Sequence, residues 1–143
     1  MTALDGSVPR NMTCTNAETY YEGYLYKVTT NALTSTTDKG DTAVAVCDVA
    51  SVNEEGTALA AVTGEKKGFF IIGSGAIVMM ASITGVTYAV GAIVYADDTN
   101  GMCSITATTS RPVGHYVGDG VTTTASGELI EVCLDVQIGA ATV

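Results

Sequence analysis

Basic residues are the first scarcity of this chain. Lys and Arg together number 6 against 15 Asp and Glu, which sets a formal net charge of −9. The six (Arg10, Lys27, Lys39, Lys66, Lys67, Arg111) are scattered along the sequence. No stripe of them can neutralise a phosphate backbone, so nucleic acid is not expected as a partner. Histidine is scarcer still, with His115 alone, between Gly114 and Tyr116, and without a local motif that supplies a nucleophile or an orienting acid. Straight-chain helix formers are few. Leu numbers 6, whereas Thr 22, Ala 18, Val 17 and Gly 16 lead. Val and Thr suit the pleated, half-buried surface of a sheet, so the expected class is all-β.

Motifs of cofactor and metal chemistry are missing as well. The four cysteines, at 14, 47, 103 and 133, form no CxxC pair, and are expected to be thiols buried or half-buried as small hydrophobes. Gly73-Ser74-Gly75 lacks the third glycine of a dinucleotide fingerprint, and no GKS or GKT marks a P-loop. Asp97-Asp98 and Asp119 do not follow the alternating oxygen ligands of a calcium loop and read as solvated turn acids. Glu54-Glu55, and Glu128 with Glu131, have no spacing that sets up a carboxylate pair. No cofactor, metal or catalytic residue is expected, and the chain reads as a non-enzyme. Asn11-Met12-Thr13 matches a glycosylation sequon, but Met1 to Cys14 shows no basic region followed by an apolar one, so cytoplasmic synthesis is the expectation.

A single long uncharged stretch runs from Gly68 to Ala96. It is long enough for a membrane span, yet Gly68, Gly73, Gly75, Gly85 and Gly91 with Ser74, Ser82, Thr84 and Thr87 divide it into strand-length pieces. Strands are expected near 68 to 72, 76 to 83 and 86 to 96, and no membrane partner. Asp97 to Gly101 then supplies an Asn-Gly turn, with Met102 to Thr109 as its return strand.

The length suits one domain. Residues 1–19 are polar and aperiodic and are expected to form an extended N-terminal arm, with 20–143 a single β domain. Tyr20 to Val28 holds four of the seven tyrosines and reads as a strand with a glycine bend, placing Tyr20, Tyr24 and Tyr26 on one face. Residues 31 to 41 read as loop, and Thr42 to Ser51 as a strand covered on both faces. Asn53 to Gly56 reads as a turn, while Thr57 to Val62 fits either a strand or one helical turn. Arg111 to Val117 is a short strand, and Gly118 to Gly127 a polar loop. Glu128 to Ile138 alternates most cleanly, with Ile130, Val132, Leu134, Val136 and Ile138 inward.

Four runs carry a likeness: Tyr88 to Asp98 (YAVGAIVYADD), Asn100 to Thr106 (NGMCSIT), Arg111 to Val117 (RPVGHYV) and Gly127 to Val136. Together they resemble the C-terminal half of small capsid decoration, or cement, proteins of tailed bacterial and archaeal viruses. The front half is more loosely similar. The stretch 29 to 42, the tail after Gln137 and the cysteines depart from the family pattern. The resemblance implies a small β-barrel or β-tulip-like domain that forms a homotrimer. It also implies a seat on the outer surface of a mature icosahedral head, with the major capsid protein as partner and no catalysis. Residues 1–19, including Arg10, Asn11 and Met12, are then the expected capsid contact, with Tyr20, Tyr24 and Tyr26 as aromatic anchors at a capsid or subunit interface. Core packing is the competing expectation for those tyrosines. The alternative function is a carbohydrate-binding or adhesin-like β module on a virion or cell surface, using the tyrosines as sugar platforms.

Overall fold

Strands are the regular structure of the computed structural model, which describes residues 4–14, 18–29, 32–36, 41–48, 66–99, 101–107 and 112–135. No helix occurs among them, so none is long and apolar enough to cross a membrane. The all-β expectation is met, and its centre is a closed five-stranded barrel.

The barrel is built from β6 (Ile77–Ser82), β8 (Ile93–Ala96), β9 (Cys103–Ser104), β10 (Gly114–Tyr116) and β12 (Glu128–Cys133), in the order β10-β12-β6-β9-β8. Its longest ladder pairs β12 with β6 from Glu128 opposite Ser82 to Cys133 opposite Ile77. Period-two alternation decides this ladder: Ile130, Val132 and Leu134 are buried, while Glu131 and Asp135 stay exposed. Ile130 faces Met80 and Val132 faces Val78, so that apolar cross-strand pairs line the interior. The ladders around the barrel are antiparallel except β6 with β9, which is parallel at Ser82 and Cys103.

The front of the chain forms a second sheet in the order β1-β5-β4-β2-β3. Its strands are β1 (Arg10–Thr13), β2 (Leu25–Thr29), β3 (Ala32–Ser35), β4 (Ala45–Cys47) and β5 (Lys66–Ile71). Its middle is covered on both faces, as the run around Val44 to Cys47 led one to expect. Leu25, Val46 and Phe70 point into the core shared with the barrel. Their neighbours Tyr26, Ala45, Cys47 and Phe69 point the other way, into a second cluster with Cys14, Tyr20 and Leu33. Alternation thus hands each strand one side chain for each core.

Several expectations need correction. The stretch 31 to 41 is not all loop, because Ala32–Ser35 returns against β2 with Val28 opposite Leu33; β-branched and apolar residues find a partner there. The run 86 to 96 is two strands, β7 (Thr87–Tyr88) and β8, parted by a turn in which the Ala92 N–H donates to the Ala89 carbonyl at 2.9 Å. Gly91, at φ +85, supplies the left-handed conformation which that turn needs. The loop 118 to 127 contains β11 (Val121–Thr122), paired with β7. Among the described residues the return strand after Gly101 is only Cys103–Ser104, and Thr108 and Thr109 lie outside them. Readings for Asn53 to Gly56, Thr57 to Val62, Val136 and Ile138 lie outside the described residues.

The segment read as an arm is extended over Arg10–Thr13 and pairs within the chain's own sheet, Arg10 opposite Phe69 and Thr13 opposite Lys66. Before that, the Leu4 N–H donates to the Ile77 carbonyl at 2.6 Å. Pro9 lies against Gly68, where a Cβ would come within 3.1 Å of its ring. The N-terminal segment therefore crosses from the barrel onto the sheet.

Candidate functional site: the seam between β1 and β3

An open-ended sheet has two edges with unspent backbone groups, and each must be covered or paired. Here β1 and β3 are the two edges, and the sheet curls until they touch through one parallel bridge, Cys14 with Leu33. The outer side of β3 is capped by the segment that follows β1. The Glu18 carboxylate accepts from the Ser35 N–H at 3.1 Å and from its hydroxyl at 2.8 Å. The Tyr20 hydroxyl donates to the Leu33 carbonyl. On β1 the Cys14 thiol donates to the Met12 carbonyl at 3.8 Å.

From the Cys14–Leu33 bridge toward Arg10 the edges carry no further pairing among the described residues, and the space between them is a groove of about 420 Å³. Its apolar lining comes from Met12, Val28, Leu33 and Ile71. Arg10 and Asn11 on β1 and Lys66 on β5 are exposed and supply polar and cationic groups. Val28 is 56% exposed, so part of this apolar lining faces water.

The expected site residues divide accordingly. Arg10, Asn11 and Met12 come together on β1 and line the groove. Tyr20 and Tyr26 do not reach any surface. Both are wholly buried, stacked with ring centroids 5.0 Å apart, and each meets Phe69 edge-on at 5.9 and 5.6 Å. The Tyr26 hydroxyl accepts from the Tyr21 N–H at 2.9 Å and donates to the Thr19 carbonyl at 3.2 Å, and burial pushes its pKa up. Their assignment as interface anchors is corrected to core packing, because a side chain with no exposed surface cannot touch a partner. Tyr24 is half-buried and leans on the exposed Tyr21 at 4.8 Å.

Lys66, Val28, Leu33 and Ile71 were not singled out from sequence. Lys66 and Ile71 reach β1 through the β1–β5 pairing of residues more than 50 positions apart, Val28 and Leu33 through β3 and its bridge to Cys14, and no local pattern signals either register. The double lysine ahead of Gly68-Phe69-Phe70 was visible, but not its neighbour across the sheet.

Elsewhere, His115, Asp97 and Glu128 make contacts that hold the fold. His115 Nδ1 lies 2.9 Å from the backbone carbonyl of Asp135. Asp97 accepts from the Thr99 N–H at 3.2 Å within its turn, and Glu128 from the Thr124 N–H at 2.8 Å. No group of three or more His, Cys, Asp or Glu side chains gathers among the described residues. Cys14, Cys47 and Cys103 are buried thiols and Cys133 a half-buried one. Compared with known proteins, the chain matches no family model and no curated protein sequence.

Proposed function

We propose that this chain is a viral capsid decoration protein, a homotrimeric cement subunit that binds the major capsid protein on the outer surface of the mature icosahedral head and stabilises it. The observation that carries the reading is where apolar side chains remain in water. Val8 is 79% exposed and Leu4 53%, both on the N-terminal segment, Val28 stands at the seam beside it, and Val90 in the turn between β7 and β8 is 70% exposed. A chain that buries Tyr20 and Tyr26 yet leaves these residues out has surface suited to a macromolecular contact. A subunit that binds only the expanded lattice shifts the equilibrium toward that lattice by mass action. Contacts spanning several shell subunits add to the effect through effective concentration.

The test mixes purified protein with immature and expanded shells, counting bound copies by mass spectrometry and measuring the oligomeric state by light scattering. Selective attachment of a trimer to expanded shells is expected. Equal affinity for both shells, or for neither, defeats the reading. A carbohydrate-binding or adhesin-like module retains one favourable observation, the tilted Tyr21 and Tyr24 rings at the surface. Saturable glycan binding by the isolated chain, lost on Tyr21→Ala, is what that alternative requires.

A further inference from the structure

We infer that the groove between β1 and β3 receives an extended, acidic segment of the shell subunit, which adds as a strand along β1. This rests on the decoration reading above and names the chemistry of its contact. Three observations converge. First, β1 is an edge whose outer side meets β3 at the single Cys14–Leu33 bridge and is otherwise without a ladder among the described residues. An extended chain laid there gains main-chain hydrogen bonds, and its alternate side chains enter the groove. Second, the groove offers apolar lining at Met12, Val28, Leu33 and Ile71, enough for one or two aliphatic side chains in about 420 Å³.

Third, the charge is specific. In a chain of net charge −9, two of its few cations line this groove, Arg10 and Lys66. Neither forms an ion pair among the described residues, whereas Lys27 is held by Asp41 at 2.9 Å. Arg10 begins β1, and Lys66 stands opposite Thr13 at its end. The two therefore mark the ends of a four-residue strand, roughly 10 Å apart along it at about 3.3 Å per residue, and alternation places them on opposite faces of the sheet, as carboxylates three positions apart on an added strand would also be. A segment with aliphatic residues between two carboxylates matches that layout. A phosphodiester strand matches it poorly, since its charges are evenly repeated and the middle of the groove is apolar.

The direct experiment follows methyl resonances of Met12, Val28, Leu33 and Ile71 while a blocked peptide is titrated in. The peptide, about six residues long, carries two Asp three positions apart with Val and Thr between and around them, and a second peptide carries Lys in place of Asp. Expected are saturable shifts confined to these methyls with the acidic peptide, weakening as salt rises and absent with the basic one. Charge reversal by Arg10→Glu with Lys66→Glu is expected to weaken acidic-peptide binding about tenfold, as two exposed pairs imply, with the thermal midpoint little changed. Shifts that are absent, or equal for both peptides, overturn the inference even if the double variant fails to fold, because they are read on the unaltered chain.

A second arm uses shells. If the unaltered protein binds expanded shells and the folded double variant binds them equally well, the groove is not the contact and the inference fails while the decoration reading stands. If peptide shifts appear but no shell is bound, the acidic-strand chemistry holds and its assignment to a shell subunit fails with the decoration reading. If the double variant instead dissociates a trimer, the occupant is a second copy and the inference is overturned.

Discussion

Tyr88 and Cys103 show how a single side chain's environment sets a measurable property. The Tyr88 hydroxyl shares a hydrogen bond with the Ser82 hydroxyl at 2.7 Å and lies 3.7 Å from the Cys103 sulfur, all inside the barrel. Burial, which penalises the thiolate, pushes the Cys103 thiol up to about 12, and burial also raises the Tyr88 phenol. Both groups are neutral when protonated, so a folded pKa above the unfolded one means that native stability is fully present below about pH 9, the thiol's ordinary value. That stability is lost as pH rises from there toward 12. Thermal unfolding midpoints recorded from pH 7 to 11 should be level at first and then fall; a midpoint that climbs through this range contradicts the burial argument. The same environment makes Cys103 unreactive at neutral pH. The half-buried Cys133, whose thiol donates to the Gly75 carbonyl at 3.5 Å, should be labelled by a thiol reagent before it, as read by peptide mass mapping. Thr36 offers the opposite case. Its hydroxyl is buried with no hydrogen-bond partner among the described residues, and Thr36→Val replaces it with a methyl of like size. Removing an unsatisfied polar atom should stabilise the chain by about 1 kcal/mol in urea unfolding; a loss of that size would show that the hydroxyl has a partner.

At the scale of elements, legibility in the sequence followed the strength of alternation. The strand β12 was readable because Ile130, Val132 and Leu134 alternate with charged or polar neighbours, and the structure buries those three. The double-sided burial of β4 was readable for the same reason, since Val46 serves one core and Ala45 and Cys47 the other. Strand β3 and the two-residue β7 and β11 were not distinguished. They are short, each with a single Thr, and their pairing is decided by partners rather than by their own pattern. Of the groove, only the β1 side was anticipated, because Arg10, Asn11 and Met12 are contiguous while Lys66 and Ile71 arrive through the β1 and β5 register. Close backbone approach is equally hidden. Gly114 on β10 sits where an added Cβ would meet the Cys133 carbonyl oxygen at 2.2 Å and the Val132 Cγ1 at 2.8 Å. Gly114→Ala must push β10 off β12, and overpacking of this kind is expected to destabilise by about 3 kcal/mol. By contrast, Gly91→Ala has open space around it and only its positive φ to strain, an effect of about 1 kcal/mol. Urea midpoints of the two variants, compared side by side, check the order; Gly91→Ala as the more damaging change would refute the close-approach account.

The whole molecule is a barrel and a curled sheet, and its behaviour turns on whether these are two bodies or one. Leu25, Val46 and Phe70 of the sheet belong to the same buried cluster as Val78, Val94, Val113, Ile130 and Val132 of the barrel. Backbone bonds cross as well: the Leu25 N–H donates to the Gly101 carbonyl at 2.7 Å, and the Ala81 N–H to the Gly23 carbonyl at 2.8 Å. Removing either part would expose the apolar face of the other, at roughly 25 cal/mol per Å². Neither part keeps its core alone, so the chain should unfold in one step, with calorimetric and van't Hoff enthalpies equal and with near-ultraviolet signals from the sheet and barrel tyrosines changing together. The mutational counterpart is Val46→Ala, which trims a side chain of the sheet inside the shared core. It should lower the single midpoint of the whole chain by about 1–3 kcal/mol in equivalent stability. A separate early transition of the sheet, leaving the barrel folded, would show instead that the two cores are independent. One cooperative body also has a mechanical consequence: strain applied at β1 reaches the barrel through packed side chains, so that detaching the sheet requires unfolding the whole chain.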